Sequence, residues 1–261
     1  MDNSPRAELL ALLRTLNLTA MAGAVEDSAL RAAKEGLSHE AFLLELLRVE
    51  RAAKQARRIE RMLRQSELTS GKTFRSLDLA RFDAATRLQI ERLRDGHFLQ
   101  DAINVVAVGR PGAGKSHLAC ALGHALIEQG HPVLFTQTSA LVQRLLAARR
   151  DLRLPQELAR LDRYDCLILD DIGYVQHDRD EMEVLFTLLA ERYERKSVII
   201  TTNLVFSEWD RIFKDPMTTL AAIDRVVHHS VVLDLMAVDS FRAQAAGTPR
   251  KKGAAANAAA A

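Results

Sequence analysis

Gly109-Arg110-Pro111-Gly112-Ala113-Gly114-Lys115-Ser116 reads as a complete phosphate-binding loop, Gly-x-x-x-x-Gly-Lys-Ser. The β-branched run Ile103-Asn104-Val105-Val106-Ala107-Val108 enters it as a strand, and His117-Leu118-Ala119-Cys120-Ala121-Leu122 leaves it as a helix. Each part answers a need of a triphosphate. Gly112 and Gly114 let the backbone turn its N–H groups inward, and the N-terminus of the helix adds positive potential. Lys115 reaches the β and γ phosphates, and Ser116 offers a hydroxyl to Mg²⁺. The residues from Gly109 to Ser116, with His117 at the start of the helix, are therefore the candidate nucleotide contacts. The expected cofactors are ATP and Mg²⁺.

The 261 residues suffice for one large domain or two smaller ones, and 48% apolar content suffices for a sizeable core. A net charge of +2 is close to balanced, so the distribution of charge, not its total, bears on nucleic acid. Cys120 and Cys166 belong to no metal-ligand cluster and read as small buried hydrophobes. The first residues carry no apolar signal segment, and no stretch approaches the ~20 apolar residues that cross a bilayer. A cytoplasmic protein without a membrane partner is expected.

Working outward from the loop, residues 6–66 read as helix almost throughout. Leu9, Leu12, Leu13 and Leu16 recur at helical spacing, and Phe42, Leu46 and Val49 do so again after a Ser38 cap. A break follows at Thr69-Ser70-Gly71-Lys72-Thr73. Beyond residue 99 the pattern changes to strands at 103–108, 132–136, 166–170, 197–201 and 230–234, separated by helical segments. That alternation predicts an α/β fold with a parallel sheet covered on both faces. The expected organisation is a small all-helical N-terminal domain over 1–68, a linker and lead-in helix over 69–98, a P-loop domain over 99–246 and a disordered tail over 247–261.

A phosphate loop alone does not separate a kinase from a motor. Cys166-Leu167-Ile168-Leu169-Asp170-Asp171 is an apolar strand ending in two acids, at the sheet edge where open α/β folds manage Mg²⁺ and attacking water. Asp170 is the candidate Mg²⁺ ligand, with Ser116, and Asp171 the group that orients or deprotonates the water. Ser197-Val198-Ile199-Ile200-Thr201-Thr202-Asn203 is a second strand with a polar end, and Asn203 is placed to hydrogen-bond the γ-phosphate or the water. Arg225, just before the last strand, could serve a neighbouring subunit's γ-phosphate, and Arg242 could close over the nucleotide of its own chain. The alternative for each arginine is a surface pair with a carboxylate.

The order of phosphate loop, Asp-Asp strand, Asn-ended strand, Asp224-Arg225 before the final strand and Ser240-Phe241-Arg242 resembles an AAA+ ATPase of the DnaA/DnaC-like clade. Three further segments are similar to the IstB family: Leu169-Asp170-Asp171-Ile172-Gly173-Tyr174, Asn203-Leu204-Val205-Phe206-Ser207-Glu208-Trp209 with Phe213-Lys214-Asp215-Pro216, and Asp224-Arg225-Val226-Val227-His228-His229. IstB-like proteins are ATP-binding helpers encoded beside the transposase of bacterial insertion sequences. The resemblance runs over roughly residues 8–243. It implies Walker A at Gly109–Ser116, Walker B at Asp170 and Asp171, sensor 1 at Asn203, an arginine finger at Arg225 and sensor 2 at Arg242. Asp171 stands where most AAA+ proteins have Glu, which draws the carboxylate back from the water and implies slow hydrolysis. Arg110 replaces the more usual Pro at a position whose backbone, not side chain, faces the phosphates.

Two basic stretches are candidate DNA contacts. Arg51, Lys54, Arg57, Arg58 and Arg61 spread over a helical face, and Arg144, Arg149, Arg150 and Arg153 follow the second strand. Such cations bind duplex backbone with little sequence preference. The alternatives are a solvated helix or an oligomer contact. With no base-reading motif, the leading expectation is an ATPase that assembles as a homo-oligomer with shared ATP sites on double-stranded DNA and presents it to a cognate transposase. A DnaC-type helicase loader, with the same core, is the runner-up. A small-molecule kinase lacks a clear acceptor pocket and lid, and a non-hydrolysing ATP-gated clamp is made thinkable by Asp171.

Overall fold

Five short apolar runs flanked by turns make the sheet, because each is rich in Val, Ile and Leu and long enough to cross it once. They are β1 (Asn104–Val108), β2 (Val133–Gln137), β3 (Cys166–Asp170), β4 (Ser197–Thr202) and β5 (Ser230–Asp234), in the order β2-β3-β4-β1-β5 with every pairing parallel. All five expected strands are present. The computed structural model describes residues 4–174, 179–209 and 224–241. The expected tail over 247–261 and the segment Phe213-Lys214-Asp215-Pro216 lie outside the described residues.

The chain divides into two compact units, Met1–Arg64 and Gln65–Ala261. The first holds α1 (Pro5–Thr15), α2 (Thr19–Glu35) and most of α3 (His39–Gln65). Ser4 Oγ caps α1 with Pro5 in its first turn, Gly36 ends α2 at φ +66°, and Ser38 Oγ accepts the Ala41 N–H at the start of α3, as expected. Its core is small: Leu13, Met21 and Leu46 with Leu18, Val25 and Phe42 against them. Leu9, Leu12 and Leu16, which share the leucine spacing of α1, are exposed. Glu50 is buried and accepts the Met21 N–H at 2.9 Å. That N–H, in the first turn of α2, holds its carboxyl below the usual carboxylate range against the opposing pull of burial.

In the second unit α5 (Lys115–Glu128) packs on one face of the sheet, so closely that a Cβ at Gly123 would stand 2.8 Å from Ile168 Cδ1. Opposite-facing residues of the same strands, Val106, Leu167, Leu169, Val198 and Ile200, join a core with α6 (Thr138–Arg150), α7 (Leu154–Leu161) and α8 (Arg179–Arg192). Two polar residues pin the N-terminal edge. Asn104 accepts the Val198 N–H at 2.9 Å and donates to the Val226 carbonyl at 3.3 Å, tying β1, β4 and the approach to β5. Arg192 is 2% exposed and donates to the carbonyls of Leu161, Tyr164 and Ser197, while burial pushes its guanidinium down to about 10. Cys120 and Cys166 are both free and buried, with burial raising both thiols, Cys166 to about 12.

Residues 65–98 fold as part of this second unit. The Ser66 carbonyl accepts the Phe135 N–H of β2 at 2.7 Å, and α4 (Ala84–Arg94) is capped by Asp83. The stretch expected as a linker and lead-in helix over 69–98 packs with this unit, its apolar residues Leu77, Phe82, Ile90 and Leu93 buried.

Candidate nucleotide-binding site

β1 is fully buried and delivers its last residue to the C-terminal edge, where the chain must turn sharply to start α5. Gly112 and Gly114 make that turn at φ +85° and +92°, and a Cβ at Gly112 would stand 2.1 Å from Ser240 Oγ. The Gly109 N–H is held by the Thr202 carbonyl at 3.1 Å, and the Phe241 N–H donates to the Gly112 carbonyl at 2.9 Å. Lys115 Nζ donates to the carbonyls of Gly109 (2.6 Å) and Arg110 (3.1 Å), arching back over the loop. The outcome is a ring of backbone with the N-terminus of α5 opening into it.

A cleft of about 340 Å³ lies over this loop. Pro111, Gly112, Gly114, Lys115, Ser116 and His117 line it from the loop side, and Asp171, Thr201 and Asn203 from the ends of β3 and β4. Gly109, Arg110 and Ala113 shape the loop without lining the cleft. Asp170 is buried behind Asp171. Thr201 bridges the two acids: its hydroxyl donates to Asp170 Oδ1 at 2.6 Å and accepts the Asp171 N–H at 2.9 Å. Asp171 is held at φ +60°, a left-handed conformation unusual for a residue with a side chain. The Asn203 Oδ1 is buried with no hydrogen-bond partner among the described residues.

The residues fit a nucleotide with a divalent cation. No side chain fits at Gly112, where a Cβ would strike Ser240 Oγ, and Asn203 lines the same cleft with an Oδ1, unpartnered among the described residues, that can accept from a water. The Ser116 hydroxyl and the paired carboxylates form an all-oxygen donor set, the chemistry a hard cation such as Mg²⁺ requires. ATP binding needs no further pocket.

Other expected residues are placed elsewhere. Arg225 is half-buried at the opposite, N-terminal edge of the sheet, where its carbonyl lies 3.4 Å from Asn104 Nδ2 at the start of β1. The length of β1 separates it from the loop of its own chain, about 16 Å. Its guanidinium lies over the Phe186 ring at 4.5 Å, with one nitrogen, Nη1, buried and unpartnered among the described residues. His228 and His229 pack edge to face nearby, and His229 meets Glu194. Arg242 lies outside the described residues.

The basic stretches are less free than their spacing suggests. Arg51, Lys54, Arg57, Arg58 and Arg61 are all exposed on α3, but Lys54 and Arg57 pair with the buried Glu50. Arg144 pairs with Glu157, Arg149 with Asp180 and Glu183, and Arg153 with Asp151, while Arg150 makes no salt bridge among the described residues. Glu157, Asp180 and Glu183 lie well away in sequence from Arg144 and Arg149, whereas Glu50 and Asp151 stand beside their partners in the runs themselves.

Three contributors to the cleft were not anticipated. Thr201 hides as an ordinary β-branched strand residue. Lys72 lines the cleft from the stretch expected as a linker, and Phe241 lines it under the Arg81 guanidinium, 3.5 Å from its ring. Only the neighbouring Ser240-Phe241-Arg242 pattern hinted at the last.

A five-stranded parallel sheet in this order, with a phosphate loop after β1 and paired acids at the end of β3, is the P-loop fold of the AAA+ type. More specifically, the chain belongs to the family of IstB-like ATP binding proteins, whose sequence profile matches residues 11–248. It is 43% identical to an insertion sequence ATP-binding protein of Sinorhizobium fredii, over 92% of this chain and 80% of the relative. It is 35% identical to the insertion sequence IS21 ATP-binding protein of Pseudomonas aeruginosa, over 90% of this chain and 88% of that one. Among solved structures, AMPPCP-bound DnaA from Aquifex aeolicus superposes with a TM-score of 0.54 at 15% identity, covering 68% of this chain and 54% of that chain. DnaI does so with a TM-score of 0.53 at 15% identity, covering 62% and 89%. These two likenesses concern the fold. Among the described residues, no helix is long and apolar enough to cross a membrane.

Proposed function

We propose that this protein is an ATPase that assembles on duplex DNA in its ATP state and serves the transposase of an insertion sequence. The observation that carries the reading is the division of the hydrolytic groups between opposite edges of the sheet. The phosphate loop, Asp171 and Asn203 sit at the C-terminal edge, and Arg225 at the N-terminal edge. A chain so built completes its site only beside a second copy, whose Arg225 supplies the transition-state cation. Membership of the IstB-like family supports the insertion-sequence context.

Within one site, Lys115 and the loop N–H groups bind the β and γ phosphates. Ser116 and Asp170 would hold Mg²⁺, which when bound neutralises charge on those phosphates. Asp171 orients the attacking water and takes its proton, and Asn203 hydrogen-bonds the terminal phosphate or that water without adding charge. Asp171 is one methylene shorter than Glu, so turnover is slow. The exposed cations of α3, Arg51, Arg58 and Arg61, and Arg150 at the end of α6 supply backbone contacts to DNA, with Lys54, Arg57, Arg144, Arg149 and Arg153 drawn partly to carboxylates.

The test is binding to a long duplex of random sequence with ATP, with ADP and without nucleotide, read together with particle size. Tight binding and large assemblies in ATP alone are expected, with an affinity that falls steeply with salt, a log–log slope of about −4 for four to five phosphate contacts. Indifference to duplex DNA in every state overturns the reading and directs the search to a helicase partner.

A further inference from the structure

We propose that Lys72 is a second phosphate-binding lysine, reaching the terminal phosphate of a bound nucleoside triphosphate from the strap formed by residues 66–76. The inference rests on the ATP-site reading above and adds a residue to it.

The strap runs along α5 from its C-terminal toward its N-terminal half and is pinned at successive points. Leu68 packs where a Cβ at Gly123 would stand 2.9 Å from its Cδ2. His124 Nε2 meets the Thr69 carbonyl at 3.2 Å, and His117 Nε2 meets the Thr73 carbonyl at 3.3 Å and Ser76 Oγ at 3.0 Å. Between those pins Gly71 turns the chain at φ +90°, and Lys72 enters the cleft. Its position is thus set by backbone contacts on both sides, not by a long flexible reach.

Lys72 is half-buried and has no carboxylate within ion-pair distance among the described residues. A lysine partly withdrawn from water without a counter-ion is a cost to the fold unless an anion arrives. It shares the cleft with Lys115, so two cations face one space. A triphosphate brings about four negative charges, more than Lys115 and one divalent cation neutralise.

The side from which Lys72 approaches selects the terminal phosphate. It lines the cleft together with Ser116, Asp171, Thr201 and Asn203. A Cβ at Gly123 would meet both Leu68 of the strap, at 2.9 Å, and Ile168 of β3, at 2.8 Å, and the Ser66 carbonyl takes the Phe135 N–H of β2, so the strap runs on the β2–β3 side of α5. That is the side on which Asp171 and Asn203 meet the γ-phosphate. A diphosphate offers nothing there, and the strap is then held by its pins on α5 alone.

The experiment measures ATP and ADP affinity of the full chain with Mg²⁺, for wild type, Lys72→Met and Lys72→Arg, with Lys115→Ala as control. Lys72→Met is expected to weaken ATP about tenfold, the worth of one charge-assisted hydrogen bond, and ADP by less than about twofold. Lys72→Arg keeps most of the ATP affinity. Equal loss for both nucleotides, or no loss for either, overturns the assignment. A second measurement needs no variant: amine acetylation of Lys72 in the wild-type chain, mapped by mass spectrometry, should be suppressed several-fold by a non-hydrolysable ATP analogue and not by ADP. Equal labelling in both states also overturns it. If Lys115→Ala leaves ATP binding intact, the site reading itself fails. If Lys115→Ala abolishes binding and Lys72→Met changes nothing, only Lys72 is wrong.

Discussion

Replacing Thr201 by valine tests how the two acids are held. The side chains are nearly the same size, so β4 keeps its pairing with Ala107 and only the hydroxyl is lost. That hydroxyl makes two bonds at a position 1% exposed, to Asp170 Oδ1 at 2.6 Å and from the Asp171 N–H at 2.9 Å. A hydrogen bond to a charged group is worth about 1.5–3 kcal/mol, and an N–H left without its partner costs about 1–3 kcal/mol. Taking about 3 kcal/mol together, the melting temperature should fall by about 6–12 °C for a folding unit near 200 residues. Catalysis should suffer separately. Asp171 occupies a left-handed conformation that costs a non-glycine residue about 1–2 kcal/mol, and the Thr201 bond helps to hold it there. Released, its carboxylate shifts from the water, and a displacement near 1 Å costs about a hundredfold in turnover. ATP affinity should change by less than about threefold, because Lys115 and the loop are untouched. Calorimetry, phosphate release and nucleotide titration on Thr201→Val and Thr201→Ser separate these effects, since serine keeps the hydroxyl. A valine variant within about 2 °C and threefold of wild type, or a serine variant no better than valine, would falsify the bridge.

Arg225→Ala is expected to leave ATP binding within about twofold while lowering turnover by about a thousandfold, and mixing it with Lys115→Ala should restore part of the activity, because some interfaces then pair an intact loop with an intact finger. Turnover that survives in Arg225→Ala alone refutes the trans role. Asp171→Glu should raise phosphate release by restoring the reach of the carboxylate; a fall would mean that the left-handed turn at Asp171 is matched to the shorter side chain. Burial holds the His117 imidazole below its usual range, with the Thr73 carbonyl opposing and Lys72 adding to the effect. The unfolded chain therefore takes up this proton first as pH falls, so the contribution is complete above about pH 6.5 and is lost in more acid solution. His117→Gln should flatten the fall in melting temperature between about pH 6.5 and 5, and an unchanged slope refutes the assignment.

What was legible in the chain is what local pattern encodes. Each strand announces itself as an apolar run, because a parallel sheet is buried on both faces and tolerates little else. The loop is legible because only glycine accepts the conformations at Gly112 and Gly114. Asp170, Asp171 and Asn203 are legible because acids and amides are rare on apolar strands except at the working edge. Thr201 was not, since a threonine in a strand satisfies β-propensity before it satisfies anything else. Lys72 was not, because Thr69-Ser70-Gly71-Lys72-Thr73 has the composition of a linker, and its pins are histidines of α5 far along the chain. The basic run after β2 misled in the opposite direction: Glu157 and Glu183 neutralise part of it through contacts that only the fold creates.

On the proposed reading, the placement of Arg225 links the fold to assembly. Parallel strands put every loop that follows a strand at one edge and every loop that precedes one at the other, so a residue just before β5 cannot share an edge with the loop just after β1. Asn104 fixes the separation by bonding the Arg225 and Val226 carbonyls to the first residue of β1. The Arg225 guanidinium is directed instead by Phe186, whose ring face attracts a cation but offers no acceptor to the buried Nη1. A buried nitrogen without an acceptor among the described residues costs about 1–3 kcal/mol until one arrives. On the proposed reading the acceptor is the terminal phosphate held by a second copy. The free energy stored at Arg225 is then released when copies join around ATP and restored to them when the phosphate leaves, which makes nucleotide state and assembly two sides of one equilibrium.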